Sequence, residues 1–519
     1  MHAAPQPVLV DVGPLSIDDV VAVARHDAPV RLAADALTAM AESRAVIDAL
    51  AEDPLPHYGV STGFGALATT SIPPERRAQL QRSLVRSHAA GSGEPVEREV
   101  VRALMLLRLS TLATGRTGVR PVVAETYAAI LNAGISPVVH EYGSLGCSGD
   151  LAPLAHCALA AMGEGPVRDA AGTLMPAEEA LEAAGITPLV LAEKEGLALL
   201  NGTDGMLGML ALALADLEAL LPQADLAAAM SIEGLSGTDA VFAADLQALR
   251  PHPGQATSAA NLRAALAGSP LVESHRVAGF TRVQDAYSLR CAPQVHGAVR
   301  DTISHARTVA ERELASAVDN PVVTLDGRVE SNGNFHGAPV GYVLDFLAIA
   351  LADLASMSER RTDRFLDKHR NAGLHPFLAD DPGVDSGLMI AQYTQAAIVS
   401  ELKRLAVPAS VDSIPSSAMQ EDHVSMGWNA ARKLRRAVDG ARRVVAIEVM
   451  TAARAIDLKA IPAAAVTGAV VARLRESVDG PGPDRFLAPD IEDTVALVAS
   501  GALLAAARTA AAAAGTTLV

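Results

Sequence analysis

From Gly205 to Leu221 the chain reads GMLGMLALALADLEALL, apolar on nearly every helical face. A helix without a polar stripe has to be buried on all sides. YVLDFLAIALADLASMSERR (342–361) imposes the same demand, and the stretches 387–407 and 429–459 continue it. The apolar runs 205–230, 341–357 and 496–514 are interrupted by Asp216 and Glu218, by Asp345 and Asp353, and by Arg508. Asp345 and Asp353 fall two turns apart on one side of their helix. Charges inside these runs favour buried core helices over membrane spans. Aromatic residues make up only 3% of the chain, so the packing rests on Ala, Leu and Met, which are strong helix formers.

The first 200 residues have a different texture. Pro54, Pro56, Gly59, Gly63, Gly65, Pro73, Pro74, Gly91, Gly93, Gly115 and Gly118 break them repeatedly, and helical periodicity survives over 97–112 and 124–131. The expected fold is therefore mostly α. It has a long central helical bundle (205–519) and an N-terminal lobe (1–204) of short helices, turns and few short strands, joined as one integrated unit. Polar or Gly- and Pro-rich connections at 268–297, 316–339 and 408–427 are where a site is expected. The Ala-rich C-terminal segment is expected to end as a solvent-facing helix.

The 519 residues carry a net charge of −17. That sign disfavours nucleic acid as a partner and means that an anionic substrate needs a local cation. Cys147, Cys157 and Cys291 form no CxxC pair, which suits a reducing cytoplasm and argues against a disulfide scaffold or a structural zinc site. MHAAPQPVLVDVGPLSIDD has no basic region followed by an apolar run, so no signal peptide and no membrane partner are expected. Gly91-Ser92-Gly93 is too short for a nucleotide fingerprint.

The most informative segment is GSLGCSGDLAPLAH, Gly143–His156. Read plainly it is a Gly-rich turn leading into a helix that starts near Asp150. The string resembles the core signature of the histidine and aromatic amino acid ammonia-lyases, in which a small residue, Ser and Gly cyclise, and its residues suit the cyclisation that this resemblance implies. Gly149 has no side chain to obstruct a compressed turn, and Ser148 carries a β-hydroxyl that can leave. Gly143, Gly146 and Gly149 permit the close backbone approach that cyclisation requires. Asp150 follows and could assist proton transfer.

The resemblance implies a methylidene-imidazolone electrophile formed autocatalytically from Cys147-Ser148-Gly149, with no pyridoxal phosphate and no nucleotide. The Gly149 nitrogen would attack the Cys147 carbonyl, and Ser148 would lose water. The family's usual first residue is Ala. Cys147 contributes only its backbone carbonyl, so the ring is expected to form. The resemblance covers nearly the whole chain. HYGVSTGFG (57–65) implies Tyr58 over the substrate, and SHAAGSGE (87–94) implies His88 as a selectivity residue. KEGLALLNGTD (194–204) implies Asn201. VQDAYSLRCAPQ (283–294) implies Gln284, Tyr287 and Arg290, and SNGNFHGAP (331–339) implies Asn334 and Phe335. SSAMQEDHVSMG (416–427) implies Glu421.

These residue types fit the chemistry that the resemblance implies. The β-proton of an amino acid is weakly acidic, so a tyrosine with a lowered pKa, Tyr58 or Tyr287, is expected as base. Arg290 can grip a carboxylate in a bidentate pair. Asn201 and Gln284 offer neutral donors and acceptors. His88 and Glu421 suit the two nitrogens of an imidazole, and Phe335 would pack beside the electrophile. The implied reaction is deamination of L-histidine to trans-urocanate and ammonia, the opening step of histidine degradation. The alternative is a tyrosine or phenylalanine ammonia-lyase, or an aminomutase. The implied assembly is a homotetramer whose sites are shared between subunits. Asp204 and Met419 depart from residues common in histidine-specific members and bear on substrate choice. Glu421-Asp422-His423 is not read as a metal site, because adjacent side chains point different ways. Ser416-Ser417-Ala418-Met419 looks like the start of the fumarase-like lyase signature. Gln420-Glu421-Asp422 replaces that signature's Pro and Lys, which sets it aside.

Overall fold

A computed structural model describes residues 5–63, 65–277 and 282–519. Phe64 of the His57–Gly65 segment, residues 278–281 of the 268–297 connection and residues 1–4 of the N-terminus lie outside the described residues. The chain is mostly α, with twenty α-helices and a few short strands among the described residues. It divides into two compact units. The first comprises Met1–Ala215, Ala306–Asp345 and Pro408–Arg432, and the second comprises Asp216–His305, Phe346–Val407 and Lys433–Val519.

The first unit is organised on the helix Arg98–Ala113, in which every residue from Val100 to Ala113 is buried. The helices Ile17–His26, Ala34–Glu52, Pro121–Asn132 and Leu151–Ala161 pack on it. Each fully buried Leu or Val there contributes roughly 1.5–3 kcal/mol. Two arginines share this burial because their guanidinium groups find backbone carbonyls. Arg102 donates to Val23 and Leu131 at 3.0 Å each. Arg108 donates to Ala198 at 3.1 Å, Asn201 at 2.5 Å and Val318 at 2.9 Å. The strands are short. Val8–Val10 pairs in parallel with Val30–Leu32. Ser92–Pro95 pairs antiparallel with His140–Tyr142. Pro166–Arg168 lies between Ser136–Pro137 and Leu174–Pro176.

The second unit buries Asp225 and Glu448 and half-buries Asp216, and gives these three carboxylates partners. Asp216 is paired with Arg435 at 3.0 Å and Arg442 at 3.5 Å. Asp225 accepts from His296 at 2.8 Å, Arg300 at 2.6 Å and Asn261 at 2.9 Å. Glu448 accepts from Ser231 at 2.7 Å, Ser358 at 2.6 Å and Arg361 at 2.5 Å. Such hydrogen-bonded charges tolerate burial that unpaired ones would not.

The long helices are Asp204–Gly234, Ala338–Leu366, Met389–Leu405 and Gly427–Asp457. The first two run further than the apolar pattern, the third stops short of it at both ends, and the fourth starts and ends two residues earlier than 429–459. Asp204–Gly234 and Ala338–Leu366 are long and apolar enough to cross a membrane by length and composition, and 78% and 56% of their most apolar windows are buried inside the protein. Part of the connection expected at 268–297 is instead helical, as Tyr287–Arg290 and the start of Ala292–Leu314. The C-terminal helix Ala502–Ala513 is not wholly solvent-facing. Leu503, Leu504, Ala507 and Ala511 are buried, and the helix packs on Ala465–Arg475.

Candidate active site

The Gly143–His156 segment forms a compressed turn locked against a second backbone segment. Gly149 has φ +77°, and a Cβ built there would lie 2.0 Å from the Gly202 carbonyl oxygen, so only glycine fits. Asp150 N donates to that same oxygen at 2.7 Å. Asp150 is the N-cap of the helix Leu151–Ala161, but its side chain makes no capping hydrogen bond. Its carboxyl accepts instead from Ser144 Oγ at 2.9 Å and Met206 N at 2.9 Å. Complete burial pushes this carboxyl up to about 7, against the pull of those donors.

Ser148 Oγ donates to Asn201 Oδ1 at 2.7 Å, and Asn201 Nδ2 donates to the Asn320 carbonyl at 2.8 Å. Both open onto a cavity of about 440 Å³ whose polar walls are Tyr58, Ser83, Ser87, His88, Ser148, Asn201, Ser417 and Glu421. Leu67, Leu80, Leu84, Leu151, Leu197 and Leu200 supply the apolar walls. Every one of these residues belongs to the first unit. Leu80, Ser83, Leu84, Ser87 and His88 follow i, i+3, i+4, i+7, i+8 and form one face of the helix Pro74–His88. His88 closes that helix, and its Nδ1 faces the Leu84 carbonyl at 2.9 Å.

Glu421 governs the local electrostatics. Its carboxylate accepts from Ser416 Oγ at 3.0 Å. Burial and then the Glu421 charge push the Cys147 thiol up to about 12, so at neutral pH the thiol keeps its proton. Tyr58 corrects one expectation. Its phenol is raised, not lowered, by burial first and by the charges of Glu421 and Asp319, while a donor at 3.4 Å from Gly65 N opposes them. A nearby cation or further hydrogen-bond donors would lower it, and among the described residues no Lys or Arg lines the cavity.

Five predicted site residues, Tyr58, His88, Ser148, Asn201 and Glu421, thus line one cavity, flanked in sequence by Cys147 and Gly149. The structure does not bring the others into its wall. Half-buried Phe335 and exposed Asn334 lie in the first unit outside the lining. Gln284, Tyr287 and Arg290 belong to the second unit. There Tyr287 is 70% exposed, the Arg290 guanidinium sits 4.6 Å from its ring centre, and Arg290 Nε is buried without a hydrogen-bond partner. Asp204 and Met419 are not in the lining either. Asp204 is buried and pairs with Arg108 at 3.4 Å, and Met419 is 67% exposed. His423 stacks on His336 while Glu421 turns to Ser416. Among the described residues no His, Cys, Asp and Glu side chains group as a metal site. Ser83, Ser87 and Ser417 were missed. Ser87 adjoins His88 and Ser83 lies four residues before Ser87, so helical spacing would have found Ser83.

The family profile of aromatic amino acid lyases matches residues 15–476. A histidine ammonia-lyase of Streptomyces avermitilis is 67% identical over 504 residues, covering 97% of this chain and 98% of that protein. Among solved structures, a tyrosine aminomutase from Streptomyces globisporus superposes with a TM-score of 0.92 at 38% identity, covering 99% of each chain. A histidine ammonia-lyase from Trypanosoma cruzi does so with a TM-score of 0.90 at 37% identity, covering 97% of this chain and 96% of that one. The chain belongs to the aromatic amino acid lyase family, and its fold is that family's helical fold.

Proposed function

We propose that this chain is a carbon–nitrogen lyase that converts L-histidine to trans-urocanate and ammonia. The observation that carries this reading is the convergence of Ser148, Asn201, Tyr58, His88 and Glu421 on one cavity. The histidine ammonia-lyase relatives, at 67% identity over nearly full length, support the same substrate.

The backbone cradle fits a methylidene-imidazolone. The left-handed Gly149 pressed on Gly202 leaves no room for a side chain. In its formation the Gly149 nitrogen would bond to the Cys147 carbonyl carbon, and the carbonyl oxygen would leave as water with the amide hydrogens of Gly149 and Ser148, leaving a C=N bond between Cys147 C and Ser148 N. Ser148 then loses its hydroxyl and an α-proton as a second water. Asp150, held near neutrality by burial, is placed to carry protons in that closure. Once formed, the group supplies an electrophile that makes the amine a competent leaving group. The chain's own residues do the rest. Tyr58 Oη takes the β-proton as its phenolate, a form that the surroundings within this chain disfavour and that a cation brought to the cavity would favour. His88 and Glu421 match the two imidazole nitrogens, and the leucine walls exclude water.

We further propose that neighbouring copies of the chain complete the site, in a cytoplasmic homotetramer. Among the described residues the cavity wall has no cation for the substrate carboxylate, while Arg290 carries a buried, unpartnered Nε. Phe346, Ile349, Ile390 and Tyr393 expose 45–59% of large apolar side chains, as self-associating surfaces do. Sedimentation and cell fractionation test these points.

The aminomutase reading rests on the structural likeness to the tyrosine aminomutase. Half-buried His88 and Glu421 would go unsatisfied around a phenol or phenyl ring, at up to about 1–3 kcal/mol each once the ligand excludes water. The test is incubation with L-histidine and, separately, L-tyrosine, following urocanate absorbance, ammonia and β-amino acid. Intact mass should show the chain lighter by two waters, and Ser148→Ala should abolish both that loss and turnover. Faster conversion of tyrosine, or accumulation of a β-amino acid, overturns the assignment.

A further inference from the structure

Behind Asn201 lies a buried ion pair that the mechanism above does not use. Lys194 Nζ meets Asp319 Oδ2 at 2.5 Å, and both side chains are fully buried. The partners are 125 positions apart. Lys194 also holds a left-handed backbone, with φ +67°. That conformation is unfavourable for a residue with a Cβ and persists only where its surroundings fix it. The other carboxylate oxygen, Asp319 Oδ1, accepts from Asn320 N at 2.7 Å. Asn320 is then held from its side chain too. Its Oδ1 accepts from Ser331 Oγ at 3.0 Å and Asn332 N at 2.9 Å, and Asn332 Nδ2 donates to the Asp319 carbonyl at 3.0 Å.

The clamp has a chemical consequence. A carbonyl can only accept, so the fixed Asn320 oxygen takes the NH₂ edge of the Asn201 carboxamide. Asn201 Oδ1 is thereby turned to Ser148. We propose that Asp319, anchored by Lys194, is a positioning residue that fixes the orientation of the Asn201 carboxamide toward Ser148 by clamping Asn320. This rests on the lyase reading above. Asp319 does not line the cavity; its charge also bears on Tyr58, an effect that the two double variants below remove alike.

Removing either charge alone leaves the other buried and unpaired and endangers folding. The informative comparison is between two double variants that leave no such charge. Lys194→Met/Asp319→Asn keeps an acceptor for Asn320 N, whereas Lys194→Met/Asp319→Ala does not. At matched thermal stability, the Ala form should turn over at least about tenfold more slowly than the Asn form with KM little changed, because a loosened carboxamide misaligns the reacting groups. Its intact mass should also show a smaller fraction lighter by two waters. Asn332→Ala, on an exposed loop, should lower kcat several-fold without lowering the melting temperature. Equal kcat and equal ring closure in the two double variants, kcat that simply tracks melting temperature, or a wild-type kcat in Asn332→Ala would each overturn the proposal. If the Ala double variant does not fold, Asn332→Ala decides alone. Absence of ammonia release by the unaltered enzyme would count against the lyase reading instead, and the mass comparison would still judge the clamp.

Discussion

Cys147 sits where a reactive thiol would be most damaging, beside the atoms proposed to become an electrophile. Its environment predicts that it is inert. Burial and the adjacent Glu421 carboxylate raise the thiol from its ordinary 9.0 to about 12. The thiolate is the reactive form, so at neutral pH Cys147 should be alkylated about a thousandfold more slowly than an unperturbed cysteine. The assay is iodoacetamide labelling of the native protein, quantified for each cysteine-containing peptide by mass spectrometry, with half-exposed Cys291 and buried Cys157 as internal references. The Cys147 rate should climb about tenfold per pH unit through pH ~10 without levelling off, since its titration lies higher still. Glu421→Gln removes one of the two main causes and should speed labelling several-fold. Cys147→Ala should keep most of the turnover, because only the backbone of that residue enters the proposed ring. A plateau near pH ~9, or labelling as fast as a free cysteine peptide, would refute the reasoning.

Three further outcomes follow from the same geometry. Asp150 has its carboxyl raised from 3.8 to about 7 by burial, so its contribution is full below about pH 4 and is lost as pH rises through about 7, by roughly 4 kcal/mol in all. Asp150→Asn should flatten that segment of a melting-temperature profile, and an unchanged slope between pH ~5 and ~8 would contradict the assignment. Tyr58→Phe should cut kcat by about 10²–10⁴-fold with little change in KM, measured as urocanate release; near-normal turnover would move the base to Tyr287. His88→Leu should narrow the preference for histidine over tyrosine by about tenfold or more in kcat/KM, and an unaltered ratio would remove His88 from substrate selection.

How far the sequence could be read depended on whether a burial pattern had local period. Asp204–Gly234 is apolar nearly all round, so its helix was plain from composition. Pro74–His88, which carries His88 into the cavity, was not. Its buried face includes Arg77 and Gln81, whose polar ends reach the Ala51 carbonyl at 2.6 Å and Gly196 N at 2.9 Å. A helix that hides polar residues by hydrogen-bonding them to distant backbone has no hydrophobic period to detect. The site divides along the same line. Tyr58, His88, Ser148, Asn201 and Glu421 were reachable because each lies in a short string whose chemistry or family resemblance marks it. Lys194 and Asp319 were invisible as a pair, because nothing local to either foretells a partner 125 positions away.

Proximity in sequence misled in the opposite sense at Asp204. It stands three residues after Asn201 and was expected to bear on substrate choice. The long helix begins at that residue, and its carboxylate is drawn to Arg108 at 3.4 Å while Asn201 faces Ser148 at 2.7 Å. Arg108 is itself held by the Asn201 carbonyl at 2.5 Å. Asp204 can therefore reach the cavity only through the backbone that Arg108 fixes. Asp204 is thus tied to the support of Asn201, whereas His88 and Glu421, the residues proposed to choose the substrate, line the cavity.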